Sequence, residues 1–245
     1  MASLHLSLSF PSTPRTSVSR FRYRKIGCTN ERQALFSRFA LVYDNLNDVL
    51  SLGQHRIWKR MAVSWTGAKM GDNVLDLCCG SGDLAFLLSE KVGSNGKVIG
   101  VDFSKEQLLI ASSRHELSSK ECYQIIEWVE GEATDLPFSD CYFDAITMGY
   151  GLRNVIDKRA KASILDFNKS TQPFVASVQE WMISSFVVPV AAAYGLAKEY
   201  EYLKSSIREF FTWKELEELA MEAGFSTAKH YEISGGLMGN LVATR

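Results

Sequence analysis

The sequence predicts an α/β fold with a doubly wound, mostly parallel sheet. Beyond Gly71, short apolar runs of strand length alternate with helical stretches. Because consecutive parallel strands are joined by crossover helices, this alternation places helices on the faces of one sheet. The predicted strands are, in order, NVLDLCC, KVIGVDF, IIEWVEG, YFDAITMGY, SILDF, STAKHYEIS and GNLVATR.

Helices are predicted both between and before these strands. DLAFLLSEKV and KEQLLIASSRHEL follow the first and second strands, and TWKELEELAMEAGF lies between the fifth and sixth. Thr212 is expected to cap this last helix, with Glu215 completing a capping box and Gly224 ending it. Amphipathic segments from Glu31 onward and within residues 43–65 predict an N-terminal helical cap.

The connection between the fourth and fifth strands is unusually short. Adjacent parallel strands normally need a dozen or more residues for a loop, a helix and a second loop. Here only the chain from Gly149 to Ala162 is available. The stretch GLRNVIDKRAKASILDF therefore predicts a shortened crossover within a parallel sheet.

Residues 1–30 differ from the rest of the chain because they are rich in Ser and Thr and contain no acidic residue. Such a segment has too little apolar surface to fold alone, and its composition is typical of an organellar transit peptide. We expect a disordered transit peptide over 1–30 and one domain over 31–245. The uncharged, Ser-rich start favours a chloroplast over a mitochondrion as the destination. The alternative is a disordered tail that carries no targeting signal. The basic residues are Arg15, Arg20, Arg22, Arg24 and Lys25.

Charge and cysteine usage exclude several classes of protein. The net charge is −1, so no global field attracts nucleic acid, and no nucleic-acid partner is expected. The five cysteines form no CxxC pair and have no His at ligand spacing, which argues against a zinc site or a disulfide framework. No metal is therefore expected, and adjacent Cys78 and Cys79 are interpreted as small residues at a strand end.

A glycine-rich turn follows the first strand. In VLDLCCGSGDLA, Gly80, Gly82 and Ala85 match the G-x-G-x-x-G/A pattern between a strand and a helix. Asp102 ends the second strand about 20 residues later, at the position that accepts hydrogen bonds from ribose hydroxyls. The pattern predicts a ligand that contains adenosine.

Two cofactors compete for this turn. NAD would place a pyrophosphate at the helix N-terminus, where backbone N–H groups favour an anion. S-adenosylmethionine presents a sulfonium and an ammonium group instead. Asp76 within the first strand and Asp83 at the helix start would repel a pyrophosphate and attract a cation. These acids favour S-adenosylmethionine, although Asp76 is alternatively a hydrogen-bonded structural carboxylate.

A third segment, GEATDLPFSDCYFDAITM, ends the third strand with Glu132 and Ala133. At this point the chain resembles the class I S-adenosylmethionine-dependent methyltransferases, which implies a seven-stranded sheet. The resemblance also implies that Glu132 and the Ala133 backbone meet the adenine edge, although Asp or Asn is commoner than Glu there. The cofactor-binding residues that it implies are Tyr43, Asp76, Gly80, Ser81, Gly82, Asp102, Phe103, Glu132, Ala133 and Gly149.

The resemblance becomes narrower over residues 43–58, YDNLNDVLSLGQHRIW, which keep the spacing of the ubiquinone/menaquinone C-methyltransferase signature. Leu46 stands where Met is usual, and GLRNVIDK, DFNKS and HYEISGGLMGNLVATR are also typical of this family. With the plastid-like leader, the family implies methylation of demethylphylloquinol, a reduced prenylated naphthoquinone, in the last methylation step of phylloquinone (vitamin K1) synthesis. The alternatives are another lipid quinol or phenol as acceptor, and a non-catalytic S-adenosylmethionine-binding variant.

Three residues are candidates for the chemistry. Arg153 and Asn154 follow the fourth strand at its carboxyl end, where open α/β sheets bind ligands. Arg153 would hold a phenolate, or alternatively form a surface ion pair. His55 is a candidate base, or alternatively a structural residue of an amphipathic helix.

The lipid acceptor directs attention to residues 173–207, which are expected to supply an apolar pocket or to touch a membrane surface, with core packing as the alternative. The uncharged run 181–197 is slightly short for a bilayer span and is interrupted by Pro189 and Gly195. It is predicted as a buried or interfacial helical segment. No feature of the sequence indicates an oligomeric state.

The shortened crossover is a departure from the family. Its members have an amphipathic helix and a turn of the type RVLKPGG between the fourth and fifth strands, and about a dozen of these residues are missing here. Because such a helix covers one sheet face, its loss is expected to expose apolar strand surface. We expect cofactor binding to survive this loss better than stability or turnover.

Overall fold

The computed structural model describes residues 43–133, 135–139, 142–152 and 161–244. The transit-peptide segment 1–30 and the first part of the predicted helical cap lie outside the described residues. Arg153 and Asn154 also lie outside them. The predictions made for these residues therefore stay predictions.

A seven-stranded sheet forms the centre of the fold, in the order β3-β2-β1-β4-β5-β7-β6. Strands β1 to β5 run parallel, and β7 is antiparallel to both of its neighbours. The predicted α/β class and the doubly wound, mostly parallel sheet are confirmed. The strands are β1 Asn73–Leu77, β2 Lys97–Asp102, β3 Ile126–Glu130, β4 Ala145–Gly149, β5 Lys161–Phe167, β6 Thr227–Ile233 and β7 Met238–Thr244.

Eight α-helices lie within the described residues, together with short 3-10 helices over Glu121–Ile125 and Ser234–Gly236 and a π-helical turn over Ile183–Val187. The α-helices are α1 Tyr43–Ser51, α2 Gln54–Trp65, α3 Asp83–Val92, α4 Lys105–Glu116, α5 Pro173–Met182, α6 Val188–Ala193, α7 Ala197–Glu209 and α8 Trp213–Glu222.

The short connection does not prevent β4 and β5 from pairing. They are neighbours in parallel register from Ala145 opposite Lys161 to Gly149 opposite Leu165. β5 begins two residues before the predicted SILDF, because its pairing with β4 starts at Lys161. Residues 150–160 therefore join two adjacent parallel strands.

The first strand ends earlier than predicted. It stops at Leu77, because Cys78 has a φ of +57° and so leaves the extended conformation. The Cys79 amide still donates to the Val101 carbonyl at 3.0 Å, so the turn stays attached to β2. The two cysteines thus begin the glycine-rich turn and do not end the strand.

Helices α2 and α3 cover one face of the sheet. Val63 and Leu88 pack in one buried cluster with Val74 and Val98 of the central strands. The Lys91 ammonium donates to the Val63 carbonyl at 2.9 Å and so fixes the end of α2 to α3. The predicted helical cap is therefore, in its described part, a layer of the core.

The opposite face is covered less completely. Leu216 and Ala220 of α8 pack against Leu241 and Ala243 of β7 and against Ile164 of β5. The capping box predicted for α8 is confirmed by bonds between Thr212 and Glu215. Beyond α8, Ile146 and Ile164 on this face are only half-buried. This is the face that a longer crossover helix would cover.

The segment from α5 to α6 is largely exposed. The sequence predicted either a buried or an interfacial helical segment here, and the buried form is not observed. Pro173–Ala193 is the one described helix long and apolar enough to cross a membrane by length and composition, yet only 17% of its apolar window is buried. Phe174 is 80% exposed and Trp181 66% exposed. The buried interpretation is wrong because one side of this segment packs on nothing within the described residues, whereas Ala191 packs on α7.

We predict that a longer crossover stabilises the protein. Inserting the family's amphipathic helix between β4 and β5 should raise the melting temperature, by about 2–4 °C for each kcal/mol gained, because it buries Ile146 and Ile164. Differential scanning calorimetry of residues 31–245 measures this. A Gly/Ser insertion of equal length is the matched control, and equal melting temperatures for the two insertions would contradict the prediction.

Candidate functional site

The glycine-rich turn between β1 and α3 is built from backbone in the left-handed region. Cys78, Gly80 and Gly82 have φ values of +57°, +54° and +90°. At Gly82, a Cβ atom would lie 2.5 Å from the Trp128 ring, so a side chain is excluded by contact as well as by conformation. The sequence pattern predicted glycine here for close approach of a ligand to the backbone, and the structure adds a second reason, the packing of Trp128 against the turn.

Asp102 holds this turn from the end of β2. Its Oδ2 accepts the Gly80 N–H at 2.8 Å, and its Oδ1 accepts the Ser104 N–H at 2.8 Å. Burial raises the pKa of Asp102, although these backbone hydrogen bonds oppose the rise. Each carboxylate oxygen can accept a second hydrogen bond, so the residue fits a ribose hydroxyl. Phe103 follows directly and precedes Ser104, which caps α4.

Asp76 is a fully buried acid in the middle of β1. Its Oδ1 accepts the Thr147 hydroxyl at 2.9 Å, while its Oδ2 has no partner among the described residues. Burial raises the pKa of Asp76 to about 7, against the lowering effects of Thr147, the Ala85 amide and the charge of Lys59. An unpartnered, buried carboxylate oxygen here fits a ligand that carries cationic groups.

Asp83, at the start of α3, corrects the sequence interpretation. It was expected to attract a cationic ligand, but its oxygens already bind Lys59 Nζ and Arg114 Nη2, both at 2.6 Å. Burial alone would raise the pKa of Asp83, yet the two cations lower it to about 2. Arg114 also donates to the carbonyl and the hydroxyl of Ser81, at 2.8 and 3.0 Å.

The remaining predicted cofactor residues meet the turn at the carboxyl edge of the sheet. Gly131 donates to the Asp102 carbonyl at 3.0 Å, which brings the end of β3 to β2. Glu132 is exposed next to the buried Ala133, and its charge contributes to the raised pKa of Asp102. Gly149 ends β4, where a Cβ would lie 2.9 Å from Leu84. The edge around β1, β2 and β4 is the position at which open α/β sheets bind ligands.

His55 is not the isolated residue that its helix position suggested. It is almost fully buried at the start of α2, and its Nε2 lies 2.6 Å from Asp48 Oδ1. Asp48 also binds Arg56, and these hydrogen bonds, Arg56 first and His55 second, hold the pKa of Asp48 below its usual value. His55 Nδ1 has no partner among the described residues. The pair resembles a base oriented by a carboxylate.

Aromatic residues near the end of β4 were not among the site residues predicted from the sequence. Tyr150 has a φ of +61°, which is rare for a bulky residue, and its amide donates to the Leu165 carbonyl at 2.7 Å. The Tyr150 ring lies 5.8 Å from that of Phe167, and Lys59 Nζ lies 6.0 Å from the Tyr150 centroid. Trp58 packs in the same cluster.

Asp48, Lys59, Arg114 and Tyr150 are the residues that sequence reasoning missed. The only available signal was the spacing of Lys59, one helical turn after His55. Tyr43 begins α1, but its side chain lies outside the described residues, as do Arg153 and Asn154. In the described part of the chain, no group of His, Cys, Asp and Glu is arranged to hold a metal ion.

Comparison with known proteins identifies the family. The model of the ubiE/COQ5 methyltransferase family matches residues 27–245. The chain belongs to this family. It is an S-adenosylmethionine-dependent methyltransferase, and the cofactor predicted from the acidic residues is confirmed.

Relatives with known names agree with this assignment. The chain is 65% identical to the chloroplastic 2-phytyl-1,4-beta-naphthoquinone methyltransferase of Arabidopsis thaliana, over 95% of this chain and 94% of the relative. It is 49% identical to the 2-phytyl-1,4-naphtoquinone methyltransferase of Trichormus variabilis, over 89% of this chain and all of that protein.

Solved structures share the fold. A SAM-dependent methyltransferase from Aquifex aeolicus superposes with a TM-score of 0.57 at 18% identity, covering 82% of this chain and 98% of that one. A structure from Methanococcus maripaludis, described as a putative S-adenosyl-L-methionine-dependent methyltransferase, gives 0.58 at 17% identity, covering 86% and 94%. At these identities the likeness establishes the fold alone.

We predict that Gly82→Ala disrupts the turn through contact with Trp128. Gly224→Ala, at the end of α8, is a matched control because its φ of +92° is similar but nothing lies within 4 Å of the added Cβ. Both variants should lose about 1 kcal/mol through backbone strain, and Gly82→Ala should lose about 1–3 kcal/mol more through overpacking.

Urea unfolding measures both free energies. Equal losses in the two variants would show that the Trp128 contact has no cost.

Proposed function

We propose that this methyltransferase transfers the methyl group of S-adenosylmethionine to the ring carbon of demethylphylloquinol, a reduced prenylated naphthoquinone. The observation that carries the proposal is the 65% identity to a 2-phytyl-1,4-beta-naphthoquinone methyltransferase along nearly the whole of both chains. Cyanobacterial relatives with the same activity in their names are 44 to 51% identical. The product would be phylloquinol.

The reaction needs an activated ring carbon and a dry site. When bound, the cofactor supplies an electrophilic methyl on its sulfonium. Loss of a phenolic proton raises electron density on the unsubstituted ring carbon, which forms the new C–C bond as the S–CH₃ bond breaks. The ring proton then leaves, and S-adenosylhomocysteine remains. The protein's contribution is positioning, exclusion of water and a place for the phenolic proton.

The carboxyl edge of the sheet supplies the cofactor contacts in this proposal. Asp102 accepts hydrogen bonds from the ribose hydroxyls, and Glu132 with the Ala133 backbone meets the adenine edge. Asp76 attracts the cationic end, since its charge is not offset by a hydrogen-bonded cation within the described residues. Gly80, Ser81, Gly82, Phe103 and Gly149 shape the surface, with Tyr43 closing over it.

His55 is the proposed acceptor of the phenolic proton. Asp48 binds Nε2, so the neutral imidazole presents an unprotonated Nδ1, and that atom has no partner in the described chain. His55 precedes Lys59 by one turn of α2, and Lys59 reaches Asp83 at the carboxyl edge of the sheet. Arg153 and Asn154, which follow β4 in the sequence, are proposed to hold the phenolate.

The chloroplast is the proposed location, in agreement with the chloroplastic Arabidopsis relative and the composition of residues 1–30. The acceptor carries a phytyl chain, so it resides in lipid. We propose that the exposed apolar side of Pro173–Ala193 contacts the membrane surface, where aromatic side chains such as Trp181 and Phe186 are favoured.

Incubation with labelled S-adenosylmethionine and reduced demethylphylloquinone tests the proposed function. Labelled phylloquinol is the expected product. Transfer to a different quinol or phenol instead would overturn the acceptor. Binding of S-adenosylmethionine without transfer to any of them would overturn catalysis and identify a non-catalytic variant.

We predict that S-adenosylmethionine binds more tightly as pH rises from 6 to 8. Below its raised pKa of about 7, Asp76 is protonated and loses its attraction for a cation. The Kd should fall by up to about tenfold per pH unit below pH 7 and level off above it.

Isothermal titration of the wild type and Asp76→Asn measures this dependence. Ionisation of S-adenosylmethionine itself affects both proteins equally. The contribution of Asp76 is therefore the difference between the two plots of Kd against pH. Parallel profiles would contradict the assignment.

We predict that His55→Gln and Asp48→Asn lower kcat by about 10²–10⁴-fold, because each disables the oriented base. The Kd for S-adenosylmethionine should stay within about twofold in both variants, since neither residue is proposed to touch the cofactor. His115→Gln on α4 is the matched control. Retention of full kcat by His55→Gln would exclude this residue as the base.

We predict that Trp181→Ser and Phe186→Ser weaken binding to phosphatidylglycerol-containing vesicles, because each removes apolar area from the lipid-facing side. Leu117→Ser is the matched control, since Leu117 is 89% exposed and lies after α4. Vesicle flotation measures the bound fraction. Equal flotation of all variants would argue against this surface, and retention after carbonate extraction would indicate a spanning helix instead.

A further inference from the structure

Lys59 is a buried ammonium group in the middle of the cap helix α2. Its side chain is 8% exposed, and its Nζ donates to Asp83 Oδ2 at 2.6 Å. Burying a charge in this way is costly unless it is paired. Methionine or leucine would cover the sheet from this position at no such cost, so the charge calls for an explanation beyond packing.

On one side, Lys59 reaches the cofactor half of the site. Asp83 is the residue directly after the glycine-rich turn, and it also binds Arg114 at 2.6 Å. Arg114 in turn donates to both oxygen atoms of Ser81 within that turn. The cap helix, the turn and α4 are thus joined through one carboxylate.

On the other side, Lys59 reaches the region after β4. Its Nζ lies 6.0 Å from the centroid of the Tyr150 ring, within the range of a cation–π interaction. Tyr150 has the strained φ of +61° and packs on Phe167 at the carboxyl ends of β4 and β5. Strained residues of this kind cluster at ligand sites.

We propose that Lys59 is a positioning residue that holds the glycine-rich turn and the aromatic pair Tyr150–Phe167 in register. Asp83 fixes one side of its ammonium and the Tyr150 ring receives the other. In this proposal the naphthoquinol ring packs against Tyr150 and Phe167. The acceptor half of this inference rests on the proposed function, whereas the cofactor half does not.

The test compares Lys59→Met, Lys59→Arg and the double variant Lys59→Met/Asp83→Asn. Lys59→Met leaves Asp83 paired with Arg114 alone. The double variant removes both members of the Lys59–Asp83 pair, and Arg114, which then loses its carboxylate, is 38% exposed and still donates to Ser81, so the protein should remain folded. Lys120→Met is the matched control, because Lys120 forms a lysine–carboxylate pair with Glu90 at an exposed position. Circular dichroism verifies that each variant is folded.

The expected result is a rise of about tenfold both in the Kd for S-adenosylmethionine, measured by titration, and in the KM for the quinol, measured by methyl transfer. The double variant should show both rises, Lys59→Arg should partly restore both constants, and Lys120→Met should match the wild type. If the double variant folds with wild-type Kd and KM, Lys59 is structural only and the proposal fails. If the wild type methylates no naphthoquinol, the proposed function fails, while the change in Kd still decides the cofactor half.

Discussion

The hydrogen bond from the Gly80 amide to the Asp102 carboxylate fixes the geometry of the carboxyl edge. It joins the turn after β1 to the end of β2. The second oxygen of Asp102 accepts the amide of Ser104, the residue that caps α4. On its other side the turn lies close to Trp128 of β3, where a Cβ at Gly82 would come within 2.5 Å of the ring. The turn that leads into α3 and Asp83 is therefore in contact with both β2 and β3.

Three acids within this edge are in different electrostatic states. Asp102 is stabilised by backbone N–H groups, and Asp83 is stabilised by two cations. Among the described residues, Asp76 has a hydroxyl and an amide as its only hydrogen-bond partners, and the charge of Lys59 acts on it from a distance. Desolvation acts on all three, so the difference arises from their partners. As a result, Asp102 holds the turn, Asp83 joins the cap to it, and Asp76 keeps one carboxylate oxygen that has no partner within the described residues.

The short connection between β4 and β5 leaves the sheet intact, but it leaves apolar side chains on one face of the sheet less buried. β5 receives its backbone partners from β4 on one side and β7 on the other, and neither ladder depends on the length of the crossover. Apart from Tyr43, the residues proposed to bind the cofactor lie on or just after β1, β2, β3 and β4. Ile146 and Ile164 bear the consequence, since apolar side chains there stay half-buried.

The sequence by itself determined the α/β class, the succession of strands along the chain, the capping box of α8 and the glycine-rich turn with Asp102. Each of these depends on hydrophobic periodicity or on the conformational preferences of residues that are close together in the sequence. Only the tertiary structure decided that the Asp83 carboxylate is paired with two cations, that His55 is hydrogen-bonded to Asp48, and that Pro173–Ala193 is largely exposed. These features arise from contacts between helices distant in the chain, or from their absence, and no local pattern encodes which cation reaches which carboxylate.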